Sequence, residues 1–262
     1  MMASADVVLS IEHVAVRFGG LLAISDMTFS VGQGQIVGLI GPNGAGKTTA
    51  FNVITGFQQQ TSGEVIYRST PLRGLSPHEI AKLGLVRTFQ RTSVFQERTV
   101  FQNVLTALHC QGKSRLWDIL LRTPREVASE RGLEDQASEI LRFVGLAHRT
   151  GELAGALPYG EQRLVGVALA LAVRPSMLLL DEPVSGMNPT ETARFVDLVK
   201  KIRESGVTIL LVEHDMKMVM GVCDHIVVLN YGRIIAEGAP ADIQSNPEVV
   251  RAYLGEGKKK RA

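Results

Sequence analysis

Apolar residues in this 262-residue chain follow patterns that predict strands in its first third and an alternation of strands and helices near its end. The first third contains "VVLSIEHVAVRF", "MTFSV", "QIVGLI" and "EVIYR", which have strand character and are separated by tight turns. After Leu157, the predicted helices are Gly160–Ala172, a segment from Asn188 to Gly206 and a segment after His214, and the predicted strands are Met177–Asp181 and "VTILLVE". Strands that are apolar throughout and alternate with helices indicate a mainly parallel sheet covered by helices.

The middle of the chain, from about Arg91 to Ala156, has a helical pattern instead. Its start signals include Thr123-Pro124-Arg125-Glu126, in which Thr can cap a helix, Pro suits the first turn and Glu completes the capping box. This segment is therefore predicted to be a helical insertion into an α/β core.

Composition narrows the class of protein. Charged residues make up 21% of the chain and hydrophobic residues 45%, the range of a soluble globular protein. The net charge of +2 does not argue for nucleic acid. The longest apolar run, Leu164–Val173, is far shorter than the roughly 20 residues that span a bilayer, so a membrane role is expected only through a partner. Cys110 and Cys223 form neither a metal-binding spacing nor a disulfide framework, and the basic tail Gly257–Ala262 is expected to be solvated.

A glycine-rich segment, "GLIGPNGAGKTT", carries the strongest chemical signal. It follows an apolar strand and precedes a helical stretch, so its backbone N–H groups are expected to converge on phosphate oxygens at a helix amino terminus. Lys47 would reach the β- and γ-phosphates of a nucleotide, and the Thr48 hydroxyl would bind Mg²⁺. The candidate nucleotide-binding residues of this loop are Gly41, Pro42, Asn43, Gly44, Ala45, Gly46, Lys47, Thr48 and Thr49.

Polar residues at the ends of two later strands are expected to face the same crevice. Asp181 ends an apolar strand, where a carboxylate can hold Mg²⁺ directly or through water. Glu182 follows it and is a candidate general base for an attacking water. His214 ends the next strand and could hold the γ-phosphate and that water.

Gln90 and Phe18 carry little weight by themselves. Gln90 lies where the α/β core passes into the helical insertion, and there it could bind Mg²⁺. Phe18 precedes the glycine-rich loop and is equally compatible with packing in the core.

These residues, in this order, resemble the motifs of the ATP-binding subunits of ABC transporters. The correspondence sets Phe18 at the aromatic residue that stacks on adenine, Gly41–Thr48 at the Walker A loop, Gln90 at the Q-loop, Leu157–Gln162 at the signature, Asp181-Glu182 at the end of Walker B and His214 at the switch histidine. The resemblance implies ATP and Mg²⁺ as ligands, with Thr48, Gln90 and Asp181 at the metal and Glu182, His214 and Gln90 in catalysis.

The same resemblance implies the fold and the division of the chain. The implied fold is an α/β P-loop ATPase core, with a mainly parallel sheet, flanking helices and an antiparallel β subdomain, into which a helical subdomain would be inserted. Residues 1–90 and 157–238 would form the ATP-binding core, 91–156 the inserted helical subdomain, and 239–262 a C-terminal helix and basic tail.

The signature departs from the usual family pattern, Leu-Ser-Gly-Gly-Gln. In the family, the signature of one subunit caps the ATP held by the Walker A loop of the other. Pro158 replaces the Ser, Tyr159 the first Gly and Glu161 the Gln, whereas Gly160 is retained. The hypothesis is that Pro158, Tyr159, Gly160 and Glu161 still cap the nucleotide in trans, through the backbone at Gly160 and the helix dipole.

A finer resemblance is to the ATP-binding subunits of branched-chain amino acid importers, and it extends from Arg17 to Glu256. It is carried by "RFGGLLAI", "ITGF", "VRTFQ", "DEPVSGMNPTET", "EHDMKMVMG" and "NPEVVRAYLGE". It implies two membrane permease subunits, a second ATPase subunit that is either different or a copy of this chain, and indirectly a substrate-binding protein. It also implies a peripheral position on the cytoplasmic face of the inner membrane, uptake energised by ATP-driven dimer closure, and no nucleic-acid partner.

Two alternatives remain open at this point. The closing segment also resembles the homodimeric ATPase of lipopolysaccharide export. A soluble ABC ATPase outside transport is the other alternative, but such proteins carry long coiled coils or a tandem second ATPase domain, and the sequence has only one phosphate loop and no sustained heptad pattern.

Overall fold

The computed structural model describes residues 7–88, 94–109 and 124–254. Within these ranges, strands form one mixed sheet in the order β5-β4-β1-β2-β10-β9-β3-β8-β7-β6. The strands are β1 Val7–Phe18, β2 Leu21–Gly32, β3 Ile36–Ile40, β4 Ser62–Tyr67, β5 Thr70–Pro71, β6 Leu85–Arg87, β7 Met177–Asp181, β8 Thr208–Val212, β9 His225–Asn230 and β10 Arg233–Gly238.

The sheet has a parallel part and an antiparallel part. The pairs β9–β3, β3–β8, β8–β7 and β7–β6 are parallel, and β3, β7 and β8 are buried at every position. This burial explains their continuous apolar sequences. The strands β2, β1, β4 and β5 pair antiparallel, and β10 joins the two parts because it is antiparallel to β9 and parallel to β2. The predicted fold class is confirmed.

The helices of the described ranges include the three that the sequence predicts after Leu157. They are α1 Lys47–Ile54, α2 Pro77–Lys82, α3 Val100–His109, α4 Pro124–Phe143, α5 Tyr159–Ala172, α6 Pro189–Glu204, α7 Met216–Val222, α8 Pro240–Ser245 and α9 Pro247–Leu254. The apolar face of α1 joins the buried core that includes Val37 and Leu39 of β3. None of these helices is both long and apolar enough to cross a bilayer.

The chain divides into two compact units. One comprises Met1–Arg87, Ser176–Val184 and Thr192–Ala262, and it contains the whole sheet. The other comprises Thr88–Pro175 and Ser185–Glu191, and in it α3, α4 and α5 pack on one another. Because of that packing, residues 157–175 cluster with the helices, although the predicted division assigned them to the core. The functional division of the chain stays a prediction.

Candidate functional site

A glycine-rich loop connects β3 to α1. Gly41, Gly44 and Gly46 have φ angles of 152°, 80° and 109°. A Cβ atom at Gly41 would collide with the carbonyl oxygen of Leu229, so the loop approaches β9 too closely for a side chain at this position. Gly46 precedes α1 and no side chain caps that helix, so the N–H groups of its first turn can receive an anion.

Lys47 is buried at the start of α1. Its Nζ donates hydrogen bonds to the carbonyl oxygens of Gly41 and Pro42, at 2.7 and 2.9 Å. Burial lowers the pKa of Lys47, and the negative charges of Glu182 and Asp181 partly oppose that effect. A cation that has lost its hydration in this way gains from an anionic ligand, so the loop is built to receive one.

A cleft of about 450 Å³ collects most of the residues that the sequence singles out. Its lining comprises Phe18, Leu21, Leu22, Ala23, Asn43, Gly44, Ala45, Gly46, Lys47, Thr48, Thr49, Glu182, His214 and Tyr231. Phe18 is 46% exposed, which excludes the alternative that it packs in the core. Tyr231, 86% exposed, is a cleft residue that the sequence analysis missed. It is held beside the loop by its neighbour Gly232, whose N–H donates to the carbonyl oxygen of Ala45 at 2.9 Å.

Asp181 is buried and lies at the carboxyl end of β7, as predicted. Arg87, at the end of the neighbouring strand β6, holds it through an ion pair of 2.7 Å between Nη2 and Oδ2. The other oxygen, Oδ1, is buried without a hydrogen-bond partner among the described residues. A buried carboxylate oxygen of this kind fits a hard divalent cation such as Mg²⁺. Arg87 was missed by the sequence analysis, although a charged residue in an apolar strand is a signal that could have found it.

Glu182 and His214 are hydrogen-bonded to each other. His214 Nε2 lies 2.8 Å from Glu182 Oε1, and both side chains are partly exposed. An ionised carboxylate can only accept, so Nε2 carries the proton in this pair. The backbone of Glu182 has a φ of 46°, unusual for a residue other than glycine, and its N–H donates to the carbonyl oxygen of Val212 at 2.9 Å.

Glu213, which precedes His214, is a further buried carboxylate that the sequence analysis missed. Its Oε1 accepts a hydrogen bond from the N–H of Val184 and its Oε2 accepts one from the N–H of His214, both at 2.9 Å. Burial raises the pKa of Glu213, and the backbone hydrogen bonds partly counteract the rise. This carboxylate therefore connects the segments that follow β7 and β8.

The segment Pro158–Glu161 begins α5 in the helical unit. Pro158 stands at the N-cap position and provides no side-chain cap. Tyr159 accepts a hydrogen bond of 2.6 Å from Arg163, and Glu161 pairs with Arg149 at 3.0 Å. These two side chains are engaged within their own unit, and Gly160 is buried beside the carboxylate of Glu191. Gln90, the remaining predicted site residue, lies outside the described residues.

A phosphate-binding loop on a mixed sheet, with an acidic pair after β7 and a histidine after β8, is typical of ABC cassettes. The ABC transporter family model matches residues 24–185, and the chain belongs to this family of ATP-binding, ATP-hydrolysing proteins. A second model, described as a branched-chain amino acid ATP-binding cassette transporter, matches residues 233–259. The predicted family membership is confirmed.

Individual relatives agree with this assignment. The high-affinity branched-chain amino acid transport ATP-binding protein LivG of Escherichia coli strain K12 is 45% identical over 249 residues, covering 95% of this chain and 98% of LivG. The protein of the same description named BraF, from Pseudomonas aeruginosa, is 44% identical over 250 residues, again covering 95% and 98% of the two chains. The crystal structure of the ADP conformation of MJ1267, an ATP-binding cassette of an ABC transporter, matches with a TM-score of 0.83 at 33% identity and covers 95% of this chain and 99% of that one.

Proposed function

We propose that this chain hydrolyses ATP, with Mg²⁺, to energise the uptake of branched-chain, hydrophobic amino acids by a membrane-bound importer. The hydrogen-bonded pair Glu182–His214 on the cleft of the phosphate loop is the observation that carries the hydrolytic role. The choice of cargo is supported by the match of residues 233–259 and by the similarity to LivG and BraF.

The nucleotide would lie in the cleft that the glycine-rich loop lines. The exposed ring of Phe18 offers a face for adenine, and the N–H groups of the loop and of the first turn of α1 would hold the phosphates. Lys47 would exchange its carbonyl partners for the β- and γ-phosphates, because a buried cation gains more from an anion than from neutral oxygens.

Thr48 and Asp181 would hold Mg²⁺, together with Gln90 as the sequence predicts. Asp181 Oδ1 is suited to the metal because it is buried without a hydrogen-bond partner among the described residues. Within the same residues no group of three or more His, Cys, Asp or Glu side chains could hold a metal, so nucleotide phosphates and water would complete the coordination. The bound ion would supply positive charge beside the phosphate oxygens.

Glu182 would act as the general base and His214 would orient it. The Nε2–H group of His214 donates to Oε1 of Glu182, which leaves the second carboxylate oxygen to take the proton from a water that attacks the γ-phosphate. His214 can also reach the cleft, where it would contact the γ-phosphate.

Assembly follows the family pattern in this proposal. Two copies of the cassette, or this chain and a different ATPase, would close on ATP with the segment Pro158–Glu161 of each capping the nucleotide of the other. Two permease subunits and, indirectly, a substrate-binding protein would complete the importer on the cytoplasmic face of the membrane.

Purification of the tagged chain from its native membranes in mild detergent tests this proposal. We expect two different permeases and a second ATPase to co-purify, and the complex in vesicles to accumulate leucine only when ATP is supplied on the cassette side. The same complex carrying Glu182→Gln is the control, and it should assemble without transporting.

Other results would contradict separate parts of the proposal. Absence of any membrane protein from the purified material would exclude the transport role. Export-type permeases without a second ATPase would move the function to lipopolysaccharide export. A complex that does not hydrolyse ATP would exclude the catalytic roles of Glu182 and His214.

A further inference from the structure

We propose that Glu213 is a positioning residue that holds Glu182 and His214 in the arrangement needed for hydrolysis. The inference rests on the catalytic roles proposed above for those two residues. It adds a third carboxylate to the site, one that does not itself touch the nucleotide or the attacking water.

The contacts of Glu213 join the two chain segments that carry the catalytic pair. One carboxylate oxygen accepts from the N–H of Val184, two residues after Glu182, and the other accepts from the N–H of His214. The N–H of Asp215 lies 3.5 Å from that second oxygen. Together with the hydrogen bond of 2.8 Å between the side chains of His214 and Glu182, these contacts close a ring that runs through both segments.

The environment of Glu213 points to a task other than stabilising the fold. The residue is 3% exposed, and no described Lys, Arg or His side chain forms an ion pair with it. Burying a carboxylate that has only backbone N–H partners is costly, and the raised pKa of Glu213 reflects that cost. The two oxygens of the Glu213 side chain do, however, accept from two segments at once, whereas a glutamine would face one of the two N–H groups with its own NH₂ group.

The backbone of Glu182 supplies an independent reason for such a tether. Its φ of 46° lies in the left-handed region, which a glutamate occupies only when its surroundings hold it there. The N–H of Glu182 is fixed by Val212, and the N–H of Val184 is fixed by Glu213. The strained residue is thus held on both sides, and the second restraint is the side chain that also holds His214.

Glu213→Gln is the variant that tests this role. Glutamine has the same shape, but its amide offers one acceptor oxygen for two N–H groups, so one of the two segments is released. We expect kcat for ATP hydrolysis to fall on the order of tenfold to a hundredfold, because small misplacements of reacting groups have effects of this size. KM for ATP and Kd for ADP should stay within about twofold, because the loop Gly41–Thr49 and Phe18 are untouched. Glu204→Gln, which alters an exposed carboxylate at the end of α6, is the matched control and should keep both values.

A second experiment separates positioning from a general structural role. If Glu213 acts through the catalytic pair, Glu213→Gln has no further effect on the residual rate of the His214→Ala protein. If Glu213 has a purely structural role, Glu213→Gln lowers that residual rate further and weakens ADP binding both in the wild-type and in the His214→Ala protein.

The outcomes distinguish this inference from the proposed function. A wild-type protein without ATPase activity would contradict the proposed function itself. An active wild-type protein together with a Glu213→Gln variant of unchanged kcat would overturn the role of Glu213. If Glu213→Gln does not bind ADP, Glu213→Asp takes its place, since its shorter side chain keeps the charge but reaches only one segment. Loss of ADP binding in both variants would also overturn the positioning role.

Discussion

At the scale of single residues, Asp181 depends on Arg87. The two residues end neighbouring parallel strands, and their ion pair of 2.7 Å is almost completely buried. Arg87 also donates to Oδ1 of Asn52 on α1 at 2.8 Å, so one guanidinium connects the proposed metal ligand to the helix that follows the phosphate loop. Removing one partner of such a pair leaves an uncompensated charge in the interior.

Arg87→Ala is therefore expected to lower the free energy of unfolding by about 3–5 kcal/mol. Urea unfolding without nucleotide measures the loss. Arg203→Ala is the matched control, because Arg203 pairs with Asp224 at the surface at 3.2 Å, and we expect a cost within about 1 kcal/mol. Similar losses in the two variants would contradict the importance assigned to the buried pair.

The buried carboxylate of Glu213 predicts a pH dependence of stability. Its pKa in the folded chain is raised above the ordinary value of 4.5, so the folded state retains this proton at pH values where the unfolded state has lost it. The contribution of Glu213 to stability is therefore fully present below pH 4.5 and is lost as the pH rises through the folded-state pKa. The free energy of unfolding of wild type minus that of Glu213→Gln should fall across this window and then level off. Urea unfolding of both proteins as a function of pH measures the difference, and a constant difference would contradict the raised pKa.

At the scale of elements, the glycine-rich loop depends on its packing against β9. Gly41 and Gly34 both have positive φ angles, of 152° and 71°. A Cβ atom at Gly34 would meet nothing within 4 Å, whereas a Cβ atom at Gly41 would collide with the backbone of Leu229. Both glycines therefore carry the cost of a positive φ angle, and only Gly41 adds a collision with a neighbouring strand.

Gly34→Ala is expected to cost about 1–2 kcal/mol of stability from the backbone angle alone. Gly41→Ala should cost clearly more and should also abolish ADP binding, because the loop must move away from β9. Urea unfolding and a fluorescent ADP analogue measure the two effects. Equal losses of stability and equal ADP binding in the two variants would show that the close approach of Gly41 to Leu229 contributes to neither.

The start of α5 allows a similar comparison for the proposed trans cap. A Cβ atom at Gly160 would lie 3.3 Å from the carboxylate of Glu191, so a charged replacement such as Gly160→Asp would add repulsion between like charges to any effect on the cap. Gly160→Ala is the better test, because it adds no charge beside Glu191. Gly166, in the same helix, provides the matched control, because a Cβ atom there would meet nothing within 4 Å.

Gly160→Ala is expected to weaken ATP-dependent dimerisation, because Gly160 is buried and the added methyl group would press on the carboxylate of Glu191 and shift the start of α5. Gly166→Ala should dimerise like wild type. Analytical ultracentrifugation with ATP in a Glu182→Gln background measures both. Undiminished dimerisation of Gly160→Ala would exclude the cap.

At the scale of the whole molecule, assembly should depend on the state of the nucleotide. Glu182→Gln removes the proposed base while leaving the cleft in place, so bound ATP should persist and the closed dimer should accumulate. We expect a dimer by gel filtration with ATP and a monomer with ADP, whereas wild type should return to monomer as ATP is consumed. ATP turnover by Glu182→Gln at the wild-type rate would contradict the role of Glu182.

The sequence by itself determined where most of the strands lie along the chain and where the phosphate loop lies. These features depend on local patterns: the apolar runs of β3, β7 and β8, the glycines before α1, and the polar residues that end β7 or follow β7 and β8. Because parallel strands end at the same edge of a sheet, Glu182 and His214 could be expected to lie close together before their distance was known.

Only the tertiary structure decided which distant side chains support that site. Arg87 reaches Asp181 because β6 pairs with β7, Glu213 reaches Val184 because β7 pairs with β8, and Gly41 is confined by Leu229 because β3 pairs with β9. Each of these contacts joins residues far apart in the chain, where neither spacing nor periodicity specifies a partner. The order of strands in the sheet creates them, and a local pattern carries no information about that order.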